Sequence, residues 1–333
     1  MEPIGRLWFG SDVKTRTKII LGVIALVVLV GPFAVPVNTS GTLTNKEAAA
    51  LSWNGESEFV ELAGHEVHLV TAGSQQSDRL LVLLHGFGAS SLTWKEVLEP
   101  LSSSGFVVAY DRAAFGFTER PTTIGEVNPY SSLGQLQVID ELVSKYGQGK
   151  EVVILGHSAG GALALGYALD HPEKVQKLIL EAPAVYGSGG APSWLNWVFD
   201  IPQLDHLGPL AVSSIASSGL QILDSSYYNK DLITDQVVAN YTAPLDVIGW
   251  ERAFWEFNKA PRSLGLVERL DQLSVDTLII TGDTDEIVAT ADSVRLNGEL
   301  PDSTLQIIVE SGHLPNEEKP LEFVEAVISF LAK

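Results

Sequence analysis

From Val152 to Leu165 the chain reads VVILGHSAGGALAL: four strand-forming residues, then one serine set among glycines, then a helix-like run of small and apolar residues. Glycine is costly inside regular structure because it has the most backbone freedom to lose. Three glycines clustered around a single serine therefore mark a backbone position that other residues cannot occupy. The pattern Gly156-His157-Ser158-Ala159-Gly160 is G-x-S-x-G. A buried strand before it and a helix after it are the context in which this motif makes a sharp turn that presents the serine oxygen above a sheet.

The rest of the chain fits that context. Candidate strands are 58–62, 66–72, 80–86, 106–111, 151–156, 177–182, 276–282 and 305–310. From the third onward they are near-continuous apolar runs, as expected of parallel strands covered on both faces. Helical patterns alternate with them; in 132–146, Leu133, Leu136, Val138, Ile139 and Leu142 recur at helical spacing. This alternation predicts an α/β fold: a mostly parallel eight-stranded sheet, helices on both faces, right-handed crossovers. One interval breaks the rhythm. Between 177–182 and 276–282 the chain holds Trp194, Trp197, Trp250 and Trp255, with Phe199, Phe254, Tyr227, Tyr228 and Tyr241, and no strand-rich pattern. We expect a helical cap insertion over 184–261, laid on a core made of 57–183 and 262–333.

Composition narrows the partners. The 333 residues carry a formal charge of -20, and a polyanion repels phosphate backbones, so no nucleic-acid partner is expected. With no cysteine there is no disulfide, thiolate nucleophile or Cys-ligated metal. No histidine spacing suggests a metal site, and no cofactor or protein partner is inferred.

The N-terminus stands apart. Residues 19–37, IILGVIALVVLVGPFAVPV, carry no charge and follow Arg6, Lys14, Arg16 and Lys18. A span of the hydrocarbon layer needs about 20 apolar residues. The nearest Ala-x-Ala, Ala48 to Ala50, lies too far downstream for signal cleavage and directly behind Lys46-Glu47. The expectation is a single-pass transmembrane anchor over 19–37, with 1–18 cytoplasmic and the remainder extracytoplasmic by the positive-inside rule. Residues 38–56, rich in Thr, Ser, Asn, Gly and Ala, read as a linker. A cleaved signal and a secreted domain are the alternative. Asn38-Thr39-Ser40 and Asn240-Tyr241-Thr242 match the glycosylation triplet.

A serine hydroxyl is a poor nucleophile until a base takes its proton and a third group orients that base. His313, in VESGHLPNEEKP, follows the last candidate strand in a Gly-containing loop, and LIITGDTDEIV supplies Asp283, Asp285 and Glu286 just past another strand. The chain order is then Ser158, an acid, His313.

With these residues in view, the chain resembles the α/β-hydrolase superfamily, in particular its cap-bearing, esterase-like members, over about 57–333. Four signatures fall in order: His85-Gly86-Phe87-Gly88; Asp111-Arg112 with Phe115-Gly116-Phe117-Thr118; the Ser158 turn; and Gly282-Asp283-Thr284-Asp285 before His313. The resemblance implies a triad of Ser158, Asp285 and His313, with Glu181 as the other position at which some relatives place the acid. It also implies an oxyanion hole formed by the backbone N–H groups of Phe87 and Ala159. Ala113-Ala114 stands where relatives commonly carry Pro-Gly, so a differently shaped loop is expected there. Asp111-Arg112 reads as a structural ion pair, and His85 and His157 as structural rather than catalytic. Ser158 excludes the aspartate-nucleophile dehalogenases and epoxide hydrolases in their usual form.

The function expected is a serine esterase that cleaves a small-to-medium apolar ester through an acyl-enzyme. A C–C bond hydrolase, lactonase, thioesterase or cofactor-free haloperoxidase would use the same three residues. A non-catalytic, membrane-tethered binding protein is the alternative of another class.

Overall fold

The computed structural model describes residues 10–37, 40–53, 57–187 and 196–333. Residues 1–9, Trp194, and the Asn38 and Thr39 of the first glycosylation triplet lie outside the described residues.

Eight strands form one sheet: β1 Ser57–Leu62, β2 His65–Ala72, β3 Arg79–Leu84, β4 Phe106–Tyr110, β5 Glu151–His157, β6 Lys177–Glu181, β7 Asp276–Gly282 and β8 Ser303–Ile308. Their order across the sheet is β1-β2-β4-β3-β5-β6-β7-β8. Only β2 runs against the others, pairing antiparallel with both β1 and β4. The eight strand expectations are met within a few residues. The largest shift is at the last, which ends at Ile308 because Glu310 turns left-handed at φ 55°.

The helices are α1 Gly10–Val30, α2 Asn45–Ser52, α3 Lys95–Leu101, α4 Ser132–Tyr146, α5 Ala159–Asp170, α6 Asn196–Phe199, α7 Pro202–Ser226, α8 Asp235–Thr242, α9 Trp250–Lys259, α10 Thr290–Glu299, α11 Pro315–Glu318 and α12 Pro320–Leu331. Period-two alternation explains why the central strands read as unbroken apolar runs. In β5, Val152 and Ile154 pack with α4, α5 and α10, while Val153 and Leu155 face α3 and α12. Both faces are covered, so neither set of side chains can be polar.

Helices α6 to α9 follow β6 and lie over the strand ends; α7 and α9 pack on each other, with Asp205 bridging to Arg252 and Lys259. Residues 40–53, expected to be a linker, are bound to this layer. Thr42 and Leu43 donate to Asp246 O, and Leu43 bridges to Val247. A Thr44/Glu47 capping box starts α2, whose Asn45 amide donates to the carbonyls of Phe117 and Thr118. The apolar N-terminal helix is of membrane-spanning length: Thr15–Ala34 is 20 residues of mean hydropathy 2.3, with none of it buried against the protein.

Candidate active site

The turn between β5 and α5 is as tight as the motif demands. A Cβ on Gly156 would collide with the Gly160 carbonyl, and one on Gly160 with the carbonyls of Leu84 and His85. Between them Ser158 sits at φ 53°, ψ −118°, a conformation that L residues avoid and that persists only when the surroundings impose it. Here they do so through the backbone: Ser158 N donates to Glu181 O at 2.8 Å, and Ser158 O accepts from the amides of Ala162 and Ala184.

His313 and Asp285 come together from two loops. Asp285 follows β7 and puts Oδ2 at 2.8 Å from His313 Nδ1. Its Oδ1 accepts from the amides of Ile287 and Val288 at 2.8 and 2.9 Å. An acceptor-only carboxylate at Nδ1 places the imidazole proton there and leaves Nε2 as the basic nitrogen. His313 is held by its backbone as well: its N–H donates to Ser226 O of α7 at 2.7 Å, and its carbonyl lies 2.9 Å from His157 Nε2. Burial pushes His157 well below the usual histidine range, so it is a neutral donor that pins the neighbouring loop.

Glu181, the other acid position, is fully buried at the end of β6. It accepts from the Asn316 amide at 2.8 Å and, among the described residues, makes no hydrogen bond to the imidazole. Burial raises its pKa well above the carboxylate range, since an ionised carboxylate there would be desolvated with one oxygen unpartnered. The imidazole's partner in the structure is Asp285.

The expected Asp111–Arg112 ion pair is not formed. Adjacent residues at the end of a strand point to opposite sides, and each finds other partners. Asp111 takes His68 Nδ1 at 2.8 Å and the amides of Ser91 and Phe117. Arg112, fully buried with its pKa lowered by desolvation to about 10, donates to Gln135 Oε1 and to the Gly86 carbonyl. His85 donates from Nδ1 to that same carbonyl at 2.8 Å and accepts the Arg112 amide at Nε2. Burial lowers the His85 pKa to about 3, which keeps it neutral and able to accept. Arg112 and His85 thus fix the Gly86-Phe87-Gly88 loop, a role for Arg112 that sequence reasoning missed. The signal was a cation next to an anion, and nothing in the order of residues says they diverge.

Ser158, His157, His313 and Phe87 line one cavity of about 520 Å³, a size typical of small-molecule sites. Asp285 stands behind His313, and Ala159 behind Ser158, with neither on the wall. No hydrogen bond joins Ser158 Oγ to His313 among the described residues. Such bonds are commonly loose in unliganded enzymes and tighten with substrate. The far wall comes from the cap: Val212 and Leu223 of α7, and Trp250, Phe254 and Trp255 of α9. Of the cap aromatics noted in the sequence, Phe199 and Tyr241 also face the cavity. Trp197 faces away and is exposed. Among the described residues no group of three or more His, Asp or Glu side chains is placed to hold a metal ion.

Known proteins share the fold that carries this site. A relative in Pseudomonas putida, 2-hydroxy-6-oxo-2,4-heptadienoate hydrolase, is 28% identical over 84% of this chain and 98% of its own length. An uncharacterized hydrolase of Bacillus subtilis, YugF, is 27% identical over 75% of this chain and 89% of its own. The crystal structure of a membrane phospholipase A, a bacterial virulence factor, superposes with a TM-score of 0.64 at 20% identity, covering 96% of this chain and 98% of that one. The model of the alpha/beta hydrolase family matches residues 81–326, and the chain belongs to that family.

Proposed function

We propose that this hydrolase cleaves carboxylic esters of lipid-like acyl groups through an acyl-enzyme on Ser158. The observation that carries the reading is the 2.8 Å Asp285–His313 pair opening, beside a backbone-strained Ser158, into a largely apolar cavity.

Ser158 Oγ adds to the acyl carbonyl carbon as its proton passes to His313 Nε2. The carbonyl π pair moves to oxygen, where the N–H groups of Phe87 and Ala159 receive it. Among the described residues neither amide donates elsewhere, and each such donor is worth roughly 2.7–4 kcal/mol in comparable sites. When the oxyanion collapses, the C–O bond to the alcohol breaks and His313 returns the proton to the departing oxygen. Water then repeats the sequence on the ester of Ser158 and releases the acid. Asp285 keeps the imidazole in the required tautomer and balances its transient charge.

The apolar part of α1 supports a membrane-anchored enzyme, with Lys14, Arg16 and Lys18 at the start of that helix on the cytoplasmic side and the hydrolase domain outside. The likeness to a membrane phospholipase A over nearly the full length favours acyl lipids over water-soluble esters. A second reading has its own support: curated relatives at 26–28% identity are C–C hydrolases of dienoate substrates, and that chemistry would use the same serine, base and oxyanion donors.

A fluorophosphonate probe tests the nucleophile: labelling lost in Ser158→Ala supports it, and labelling unchanged in that variant overturns it. Full-length enzyme is then assayed on p-nitrophenyl esters of graded acyl length, a diacyl phospholipid, and a 6-oxo-dienoate. Turnover that rises with acyl length supports the lipid ester reading. Turnover confined to the dienoate replaces it with the C–C hydrolase.

A further inference from the structure

The apolar helix does not end in a free tether. Gln203 Nε2, in the first turn of α7, donates to Leu29 O of α1 at 3.0 Å. One turn on, His206 Nε2 lies 3.0 Å from Val35 O, with its ring 5.3 Å from that of Phe33. Five residues past Val35 the chain is bound again: Ser40 N and Oγ donate to Glu251, and Trp250 Nε1 donates to Ser40 Oγ, both partners lying on α9. The polypeptide passes directly from the apolar helix onto the cap.

This fixes a depth. The uncharged run after Lys18 ends at Val37, and a hydrocarbon layer about 30 Å thick takes about 20 residues of helix. Val35 therefore lies at the outer end of the span, and His206, bonded to its carbonyl, marks the membrane–water boundary. Gln203, bonded to Leu29 six residues earlier, reaches roughly 9 Å below it, within the depth that an interfacial helix occupies. The surface around this junction is also unlike a solvated one. Leu204 lies between the two anchoring side chains and is 39% exposed, and Leu210 lies beyond them at 38%. Phe33, Val35 and, on the neighbouring α6, Trp197 are more exposed still. Aromatic residues with aliphatic neighbours at this level are what the interfacial zone of a bilayer accepts.

We infer that the N-terminal half of α7, with α6 and residues 33–35, rests on the surface of a neutral or zwitterionic bilayer. The inference rests on α1 being an anchor, as proposed above. The net charge of -20 disfavours an anionic surface, which would repel the domain. The chemical consequence concerns substrate supply. Val212, just past Leu210 on the same helix, lines the catalytic cavity. A single helix thus separates lipid from Ser158, and acyl chains reach the cavity from the bilayer rather than through water.

The absence of cysteine makes the test direct. Single replacements Ile24→Cys in α1, Leu204→Cys and Leu210→Cys in α7, and Gln148→Cys are labelled with an environment-sensitive fluorophore. Gln148 is exposed in the turn before β5, at the opposite ends of the strands from the cap. Each full-length variant is reconstituted into phosphatidylcholine vesicles containing a nitroxide-labelled lipid. Labels at Ile24, Leu204 and Leu210 are expected to be blue-shifted and quenched severalfold more than the one at Gln148. Vesicles rich in phosphatidylglycerol should weaken the quenching at α7 but not at Ile24. Quenching at Ile24 with α7 labels as wet as Gln148 overturns the docking and leaves the anchor standing. No quenching at Ile24 removes the anchor, and this inference with it. Because no turnover is measured, quenched α7 labels in an enzyme inactive on lipid esters would sink the proposed substrate and leave the docking intact.

Discussion

Three carboxyl side chains near Ser158 differ in what they do, and the difference lies in their partners. Asp285 has an imidazole N–H and two amides, so Asp285→Asn should lower kcat by roughly four orders of magnitude through the wrong tautomer, read in steady-state kinetics with the fold checked by circular dichroism. Glu181 has one amide and no cation. Its raised pKa means that the folded chain keeps a proton the unfolded chain releases near the ordinary value of 4.5. The stability it contributes is full below that value and is lost as pH rises toward the folded pKa. Glu181→Gln should therefore raise Tm relative to the parent at about pH 8 more than at about pH 4, with far less effect on kcat than Asp285→Asn; equal shifts at both pH values would refute the neutral assignment. Glu317, treated below, is the third. Ala114 adds a different case. It stands at φ 76° on the cavity wall, in a left-handed conformation that costs L residues about 1–2 kcal/mol. Ala114→Gly should stabilise the fold by about 1 kcal/mol after glycine's greater entropy loss, measured as a shift in denaturant midpoint. Ala114 occupies the glycine position of the Pro-Gly pair that Ala113-Ala114 replaces.

At the level of elements, the loop carrying His313 is built into the cap. Glu317 in α11 accepts hydroxyl bonds from Thr93 of the core and from Tyr227 and Tyr241 of the cap. Glu318 accepts the amides of Tyr228, Asn229 and Gly312. Packing against the cap raises the pKa of Glu317, and three donors hold it in place. Glu317→Ala leaves three hydroxyls without their acceptor and should cost about 2–3 kcal/mol. It should also lower kcat, because the Ser226 carbonyl that holds His313 would shift; unchanged kcat in a destabilised variant would show that the base is held by the core alone. Strands, helix α4 and the Ser158 turn were legible because each has a strong local period or a steric demand. These junctions were not. NEEKP reads as a charged, solvated turn, and only the approach of α7 and α8, far away in the chain, turns two glutamates into acceptors. Asp111 and Arg112 were misread for the same reason: adjacency in sequence says nothing about which side of the strand each residue faces.

For the whole molecule, an exposed apolar helix of 20 residues bonded to the cap predicts a protein that pellets with membranes and resists carbonate extraction. A processed chain in the supernatant with its N-terminus near residue 38 would instead show a removed signal. The sequence revealed the apolar span and the cap as separate segments. It hid their contact, because residues 40–53 have the composition of a tether and become a strap only through bonds to the backbone of Asp246 and Val247 and to the Glu251 carboxylate. The single bond from the His313 amide to Ser226 O has a further meaning for how such enzymes can diversify. In the reaction we propose, the proton acceptor borrows its placement from a peptide unit in the insertion, so exchanging that insertion for a foreign one would discard part of the catalyst. New substrate preferences in this lineage should arise by recutting individual side chains along the pocket, with the end of α7 kept in place.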